Sequence, residues 1–452
     1  MKLYNAFQMN LHSASFAVLL VLLMSLILHG ETTEPAKQWR FDFGTQRVMS
    51  GYIGVTPQAR YSDEAGYGFE SGDEIREMDR GGDALLGDFC TSSKPFRFSV
   101  RLPEGNYRVK VILGDASGES DTAIKAESRR LMTMPAQLHS AHGERSFIVN
   151  VRHKTIAGGG EVKLKRDRNS LNWDEKLTLE FAGANPCLCG VEIEPALDAI
   201  TIYIAGDSTV TDQTNEPWAG WGQMLPRFFV PPVAIANHAE SGESLRSFVG
   251  EKRLAKIMSQ IKAGDYLFIQ FGHNDMKEKG EGVGAFSSFS DSLKQFVAEA
   301  RKREAQVVLL TPMNRRSFDS SGKITNTHGD YPEAVRRVAR ELNVPLIDLH
   351  SMSKTLYEAW GPEQSTRAFV HYPAGTFPGQ DQALKDNSHF NNYGAYELAR
   401  CVAEGIRQNK LPIERYLAQD VTPFDPAHPD AVESVPIPAS ALIGTTTAPA
   451  GR

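Results

Sequence analysis

Four short segments carry the residue types that acyl transfer needs: Gly206-Asp207-Ser208-Thr209, the run from Asn237 to Ser244 containing Gly242, Gly272-His273-Asn274-Asp275, and Asp386-Asn387-Ser388-His389. A serine hydroxyl is a weak nucleophile until a base takes its proton. Ser208 stands two residues after Gly206, where a sharply turning chain would expose Oγ. Asp386 precedes His389 by three positions. On one turn, that spacing sets the carboxylate against Nδ1–H and leaves Nε2 facing outward. An oxyanion needs donors aimed in advance. The backbone N–H groups of Ser208 and Gly242 and the side-chain amide of Asn274 are the candidates. Each residue alone has a plain structural alternative: an N-cap serine, a surface Asp–His pair, a turn glycine, an Asx-turn asparagine. Their co-occurrence at strand ends points to a Ser208, Asp386, His389 triad. Position 210 is Val, so the G-x-S-x-G elbow of an ordinary α/β-hydrolase is missing.

Several neighbours carry two readings. Trp218 and Trp221 could stack on sugar rings, or pack in a core at their helical spacing. Arg246, Arg315 and Arg316 could neutralise a carboxylate on a substrate, or lie solvated. Trp218 and Arg246 are retained as substrate-binding candidates. His273 reads as a structural strand-end histidine rather than a second base. Asp275 is expected to tie down a site loop, and Asp207 to cap the turn.

These side chains need a scaffold that gathers strand ends. From Ile200 onward, apolar runs of strand length alternate with amphipathic segments of helix length. The strands are predicted at Ile200–Ala205, Val233–Asn237, Asp265–Phe271, Gln306–Thr311 and Val344–Leu349. Helices are predicted at Trp218–Phe229, Leu245–Ile261, Phe289–Lys302, Tyr331–Leu342 and Asn392–Gln408. Continuous apolar strands with intervening helices imply a parallel sheet covered on both faces, with sites at its carboxyl edge. The earlier region instead shows short alternating runs such as Phe98–Leu102 and Tyr107–Val111, separated by turn clusters, which indicates a β-sandwich. The expected division is a leader at 1–30, an all-β sandwich at 38–195, a catalytic α/β domain at 200–415, and a Pro/Ala/Thr-rich tail at 416–452, irregular or partly disordered.

The 452-residue chain has ordinary globular composition and a net charge of −6. No basic block suggests nucleic acid or an anionic membrane as partner. The apolar run Ala17–Leu28 has the length of a signal-peptide core and is short for a membrane span, so the chain is expected to be secreted or periplasmic and free of the membrane after cleavage. Of four cysteines, Cys187 and Cys189 are expected on opposite faces of a strand, with Cys90 able to pair with one of them. No ligand spacing suggests a metal, and the chemistry needs no cofactor.

The four segments together resemble the SGNH (GDSL-type) hydrolase superfamily. Asn237-His238-Ala239-Glu240-Ser241-Gly242-Glu243-Ser244, Gln270-Phe271-Gly272-His273-Asn274-Asp275 and Asp386-Asn387-Ser388-His389-Phe390-Asn391 make it similar to bacterial rhamnogalacturonan acetylesterases over roughly Ile200–Ile413. That resemblance implies a three-layer α/β/α sandwich with a five-stranded parallel sheet. It implies Ser208 as nucleophile, His389 as base then acid, Asp386 as its orienter, and Ser208, Gly242 and Asn274 as the oxyanion hole. The implied substrate is an acetylated plant cell-wall polysaccharide. Another short acyl ester such as acetylated xylan, or a carbohydrate-binding protein with an inactive hydrolase domain, are the rivals. Thr209 replaces the commoner Leu, as this branch often does. Phe41-Asp42-Phe43-Gly44, Tyr52 and Gly66-Tyr67-Gly68-Phe69-Glu70 make the amino-terminal region similar to galactose-binding-like sandwiches. Such a sandwich binds carbohydrate or buttresses its neighbour, and both stay open here.

Overall fold

The computed structural model describes residues 38–44, 47–71, 74–165, 167 and 170–442. The leader expected at 1–30 and the last ten residues lie outside them.

Ten strands come first: β1 (Trp39–Phe43), β2 (Ile53–Val55), β3 (Tyr67–Ser71), β4 (Arg76–Asp79), β5 (Asp88–Thr91), β6 (Phe96–Arg101), β7 (Gly105–Ala126), β8 (Arg130–Val151), β9 (Lys176–Asn185) and β10 (Cys187–Pro195). In one layer β10 lies between β1 and β7; in the other β6 lies between β3 and β9. The β7–β8 hairpin serves both layers. Its register slips between Asp115 and Glu119, and beyond that slip β7 turns to pair with β9. Side chains two apart share a face of a strand, so Phe41 and Phe43 both point inward. They meet Phe98 at ring-centroid distances of 5.0 and 4.9 Å, and Phe69 meets it at 5.6 Å. The aromatic motif at 41–43 therefore builds the core.

The period then changes. β11 (Ile200–Gly206), α1 (Trp221–Met224), β12 (Val233–Asn237), α2 (Leu245–Gly250), α3 (Arg253–Met258), β13 (Tyr266–Gln270), α4 (Ser290–Arg301), β14 (Gln306–Leu310), α5 (Tyr331–Leu342), β15 (Leu346–Ile347) and α6 (Leu349–Gln364) follow. A short hairpin, β16 (Phe369–Tyr372) with β17 (Leu384–Phe390), leads into α7 (Asn392–Gln408). The five strands β11–β15 are parallel, in the order β12-β11-β13-β14-β15. Along β11, Ile202 and Ile204 pack into a cluster with α1, α6 and α7, while Tyr203 and Ala205 pack into another with α2–α5. Helices thus cover both faces, the three-layer arrangement. The chain order reverses between β11 and β13, and ligand sites form at such a switch point.

The sandwich and the parallel sheet are continuous. β12 pairs in parallel with β8, Ala234 opposite Ile148 and Ile235 opposite Val149. Buried ion pairs cross the same seam: Arg130–Asp212 at 2.6 Å, Arg253–Asp167 at 2.9 Å and Lys256–Glu104 at 2.6 Å. The tail to Leu442 carries a single short 3-10 turn, yet it is tied down. Phe424 and Val435 are buried, Lys125 donates to the Pro438 carbonyl and Ser440 Oγ at 2.6 Å, and Arg97 donates to the Ala441 carbonyl at 3.0 Å.

Several expectations change. The helix expected at 218–229 starts only at Trp221, after Gly220 in extended conformation, and tightens to a 3-10 turn at Pro226. The helix expected at 245–261 breaks at Lys252, which adopts a left-handed φ of 63°. There buried Glu251 pairs with buried Arg253 and with exposed Lys165 of the sandwich region. α6 and the β16–β17 hairpin are additional elements. Cys187 and Cys189 share one cluster with Leu85, Phe89 and Ile112, as residues two apart on a strand should, and all four cysteines are free and buried. Among the described residues, no helix is long and apolar enough to cross a membrane.

Candidate active site

β11 delivers Ser208 at the carboxyl edge of the sheet. Gly206 is needed there: a Cβ would lie 2.7 Å from Val210 Cγ2 and 3.1 Å from the Gln270 carbonyl. Asp207 makes the turn. Its Oδ1 accepts from the Thr209 N–H at 3.0 Å and from Thr209 Oγ1 at 2.7 Å, while its carbonyl accepts from Val210 and Thr211. Gln213 Nε2 holds the Ser208 carbonyl at 2.8 Å. Gln270, at the end of β13, donates to Thr209 Oγ1 at 3.0 Å and accepts from Trp221 Nε1 at 2.7 Å.

His389 comes from the hairpin. The β16–β17 register pairs Val370 with Asp386 but Phe369 with Phe390. Residues 387–389 are left outside the ladder as a bulge, a device that re-aims side chains. His389 Nε2 stands 2.8 Å from Ser208 Oγ, and Nδ1 stands 2.8 Å from Asp386 Oδ2. Asp386 Oδ1 accepts from the N–H groups of Ser388 at 2.9 Å and His389 at 3.1 Å. The pair therefore sits on a strand bulge closed by an Asx-turn, rather than on a helical turn. Ser208, Asp386 and His389 are all buried, so their interactions are only weakly screened by water.

The oxyanion candidates come from two tied loops. Gly242, after β12, has φ of 86°, in the left-handed region that favours glycine. Asn274, after β13, donates from Nδ2 to the Glu243 carbonyl at 2.9 Å, beside Gly242. Asp275 joins the loops: Oδ1 accepts from the Leu245 N–H and Oδ2 from the Gly272 N–H, both at 2.9 Å. Burial pushes the Asp275 carboxyl up to about 7. The expectation that Asp275 ties down a site loop and Asp207 caps the turn agrees with these bonds.

Other candidates fall elsewhere. Trp218 is 3% exposed, so its indole has no free face for sugar stacking, and its carbonyl accepts from Arg129 Nη1 at 3.0 Å. Arg246 is exposed on α2, facing a cavity of about 200 Å³ shared with Glu278, Phe289 and Tyr331 whose lining contains no member of the triad. His273 is buried, which holds its imidazole well below the usual range and hence neutral. Its Nδ1 meets His328 Nε2 at 3.0 Å and its Nε2 meets Met313 Sδ at 3.4 Å, so it is a structural group. Arg315 donates to the His273 carbonyl at 3.3 Å, and Arg316 to Ser365 Oγ at 2.9 Å and Asn387 Oδ1 at 3.0 Å. Both arginines are occupied in holding loops. Among the described residues, no group of three or more His, Cys, Asp or Glu could hold a metal ion.

One supporting residue gave no sequence signal. Arg129, from the turn between β7 and β8, is 2% exposed. It donates to the carbonyls of Gln213 and Trp218, to Glu216 Oε1 and to Asn392 Oδ1. A sandwich residue thereby frames the loop that follows Ser208 and the start of α7. No local pattern marks an arginine for burial 79 positions before Ser208, whose loop it supports.

Comparison with known proteins finds two matching families. Residues 204–394 match the GDSL-like Lipase/Acylhydrolase family, and residues 39–141 match the Beta-agarase/YXIM esterase-like, galactose-binding domain-like family. Rhamnogalacturonan acetylesterase RhgT of Bacillus subtilis (strain 168) is 45% identical over 220 residues, 48% of this chain and 94% of its own length. The uncharacterized esterase YxiM of the same bacterium is 28% identical over 414 residues, 88% of this chain and 98% of its own. A crystal structure of Bacillus subtilis YxiM aligns over 83% of this chain and 99% of that one, at 27% identity and a TM-score of 0.44.

Proposed function

Because the chain belongs to the GDSL-like lipase/acylhydrolase family and is a carboxylic ester hydrolase, we propose that it removes acetyl groups from a plant cell-wall polysaccharide, pectic rhamnogalacturonan, outside the cytoplasm. The observation that carries the mechanism is the unbroken hydrogen-bonded chain Ser208–His389–Asp386, with both links at 2.8 Å. That is the reach a general base needs. His389 takes the Ser208 proton as Oγ attacks the acetyl carbonyl. Asp386 holds the Nδ1–H tautomer and stabilises the imidazolium that forms. The Ser208 and Gly242 N–H groups receive the negative oxygen with Asn274, whose amide has a second hydrogen beyond the one given to Glu243. As the C–O bond to the sugar breaks, His389 gives the proton to the departing sugar oxygen, which leaves as a hydroxyl. It then activates water, which releases acetate from Ser208. The chemistry asks for no cofactor.

The likeness to RhgT supports the sugar-linked acetyl ester as substrate. The apolar run Ala17–Leu28 supports export to the medium or periplasm. The test is acetate release from acetylated rhamnogalacturonan, acetylated xylan and p-nitrophenyl esters of rising chain length, with Ser208→Ala beside the wild type. We expect preference for the pectic substrate and short acyl chains. We also expect a loss of at least about 10⁴-fold in kcat for Ser208→Ala, with unchanged thermal unfolding. Acetate release by folded Ser208→Ala at near wild-type rate would end the mechanism; faster release from xylan would move the substrate.

A further inference from the structure

A cavity of about 410 Å³ adjoins the segments that carry the triad, and the ester chemistry makes no use of it. Its size falls within the roughly 300–1,000 Å³ of sites that enclose small ligands. Five separate stretches wall it, among them residues 366–367 and the first turn of α7. Glu216 belongs to the loop that follows Ser208. His371, Tyr372 and Phe377 belong to the hairpin that carries His389. Val432, Val435 and Ile437 come from the tail, beyond residue 394 where the hydrolase-family match ends.

The lining chemistry is that of a sugar site. Phe377 packs edge to face on Tyr372, with centroids 5.0 Å apart and planes at 83°. Phe377 is only half-buried, which leaves ring surface for the C–H face of a pyranose. The Tyr372 hydroxyl accepts from Asn391 Nδ2 at 3.0 Å, so its own hydrogen remains to be given. His371 spends Nε2 on Asn387 Oδ1 at 2.8 Å, and Nδ1 remains. Arg367 stands exposed at the rim, paired through one Nη with Glu433. Glu216 is held by Arg129, Asn392 and the Ser440 N–H, all at Oε1. A few fixed polar groups around an aromatic wall suit a hydroxyl-rich ring better than an acyl chain. The same His371–Asn387 bond links the cavity to the bulge between Asp386 and His389.

We propose that this cavity is a carbohydrate subsite, holding a sugar ring of the polysaccharide near the acetylated residue presented to Ser208. The proposal rests on the polysaccharide reading above. Contacts remote from the ester would be spent on placing it for attack, which raises kcat/KM for the polymer and does nothing for a small ester.

Two variants at opposite walls test it. Phe377→Ala removes the aromatic wall, and Val432→Trp fills the space from the tail. Each is compared with the wild type on oligosaccharides cut from acetylated rhamnogalacturonan and acetylated xylan, and on p-nitrophenyl acetate. The readout is the ratio of kcat/KM on the better oligosaccharide to kcat/KM on p-nitrophenyl acetate. Normalising to the small ester makes a general folding defect cancel, and two sites keep the test independent of either variant's folding. We expect the ratio to fall about tenfold in both, the loss of about 1.4 kcal/mol of contact. A wild type active on an oligosaccharide whose ratio stays within about twofold in both variants overturns the subsite alone. A wild type that cleaves p-nitrophenyl acetate but neither oligosaccharide overturns the polysaccharide reading and the subsite with it.

Discussion

Asp386 has two jobs in one carboxylate. Oδ1 accepts two backbone N–H groups and Oδ2 accepts His389 Nδ1–H. Asp386→Asn can keep the first set through its amide oxygen, but its NH₂ cannot accept Nδ1–H. His389 would then turn to the wrong tautomer. We expect kcat to fall by up to about 10⁴-fold with little change in unfolding temperature, measured on p-nitrophenyl acetate. In the proposed mechanism Asn274 acts later, on the charged intermediate. Asn274→Ala should lower kcat about 10²–10³-fold while KM changes little, as loss of one oxyanion donor does. A KM effect of the same size would make Asn274 a binding residue. These residue types are legible in the sequence only together, because each alone has a structural use and their co-occurrence at strand ends is what points to acyl transfer. The roles weighed for Trp218 and Arg246 were not legible, because stacking and ion pairing depend on exposure, and exposure is set by distant packing.

Elements explain why the triad holds together. α7 follows the bulge directly, and its first turn is capped by Asn391, whose Oδ1 accepts from the Gly394 N–H. The helix also carries a buried acid. Glu397 is 0% exposed and accepts from the Asp430 N–H through Oε2 at 3.1 Å. Burial, then the Asp430 charge, pushes its carboxyl up to about 8, partly offset by Arg400. The folded state therefore keeps a proton that the unfolded chain gives up above about pH 4.5, the ordinary value. Stability is full below that pH and is lost as pH rises through about 8. Glu397→Gln cannot ionise. Its unfolding temperature should gain on the wild type progressively between about pH 4.5 and 8 and then hold level, followed by thermal melts across pH. A pH-independent difference would place the effect in packing instead. At this scale the sequence was informative for long periodic helices: the predicted Tyr331–Leu342 and Asn392–Gln408 coincide with α5 and α7. It was less so at 245–261, where the chain breaks at left-handed Lys252.

Across the whole molecule, the sandwich and the α/β layers act as one frame. β8 adds to the parallel sheet through β12, and Arg129 reaches from the β7–β8 turn to the loop after Ser208. Arg129→Ala would remove the cationic partner of Glu216, which keeps its bonds from Asn392 and the Ser440 N–H, and one donor each from the carbonyls of Gln213 and Trp218 and from Asn392 Oδ1. Losing one partner of a largely buried, hydrogen-bonded pair costs about 1–3 kcal/mol when the remaining carboxylate keeps other donors. We expect a lower unfolding temperature and, because the nucleophile loop shifts, up to about 10²-fold lower kcat/KM on p-nitrophenyl acetate. Equal activity in the folded variant would show that the sandwich supports stability without framing the site.

What the chain determined by itself is local. Strand period along 200–206, glycine where the turn at Ser208 has no room, and an Asp three residues before His389 are consequences of near neighbours, so they can be read from order alone. The tertiary structure decided what depends on contacts between distant residues. Ser208 and His389 lie 181 positions apart, and only the slipped register of the β16–β17 hairpin brings Nε2 to Oγ. The burial of Trp218, the fusion of two sheets through β8 and β12, and the tail that completes the 410 Å³ cavity have the same origin. Burial and register are properties of the assembled chain, where partners far apart in sequence compete for the same space and the same hydrogen bonds.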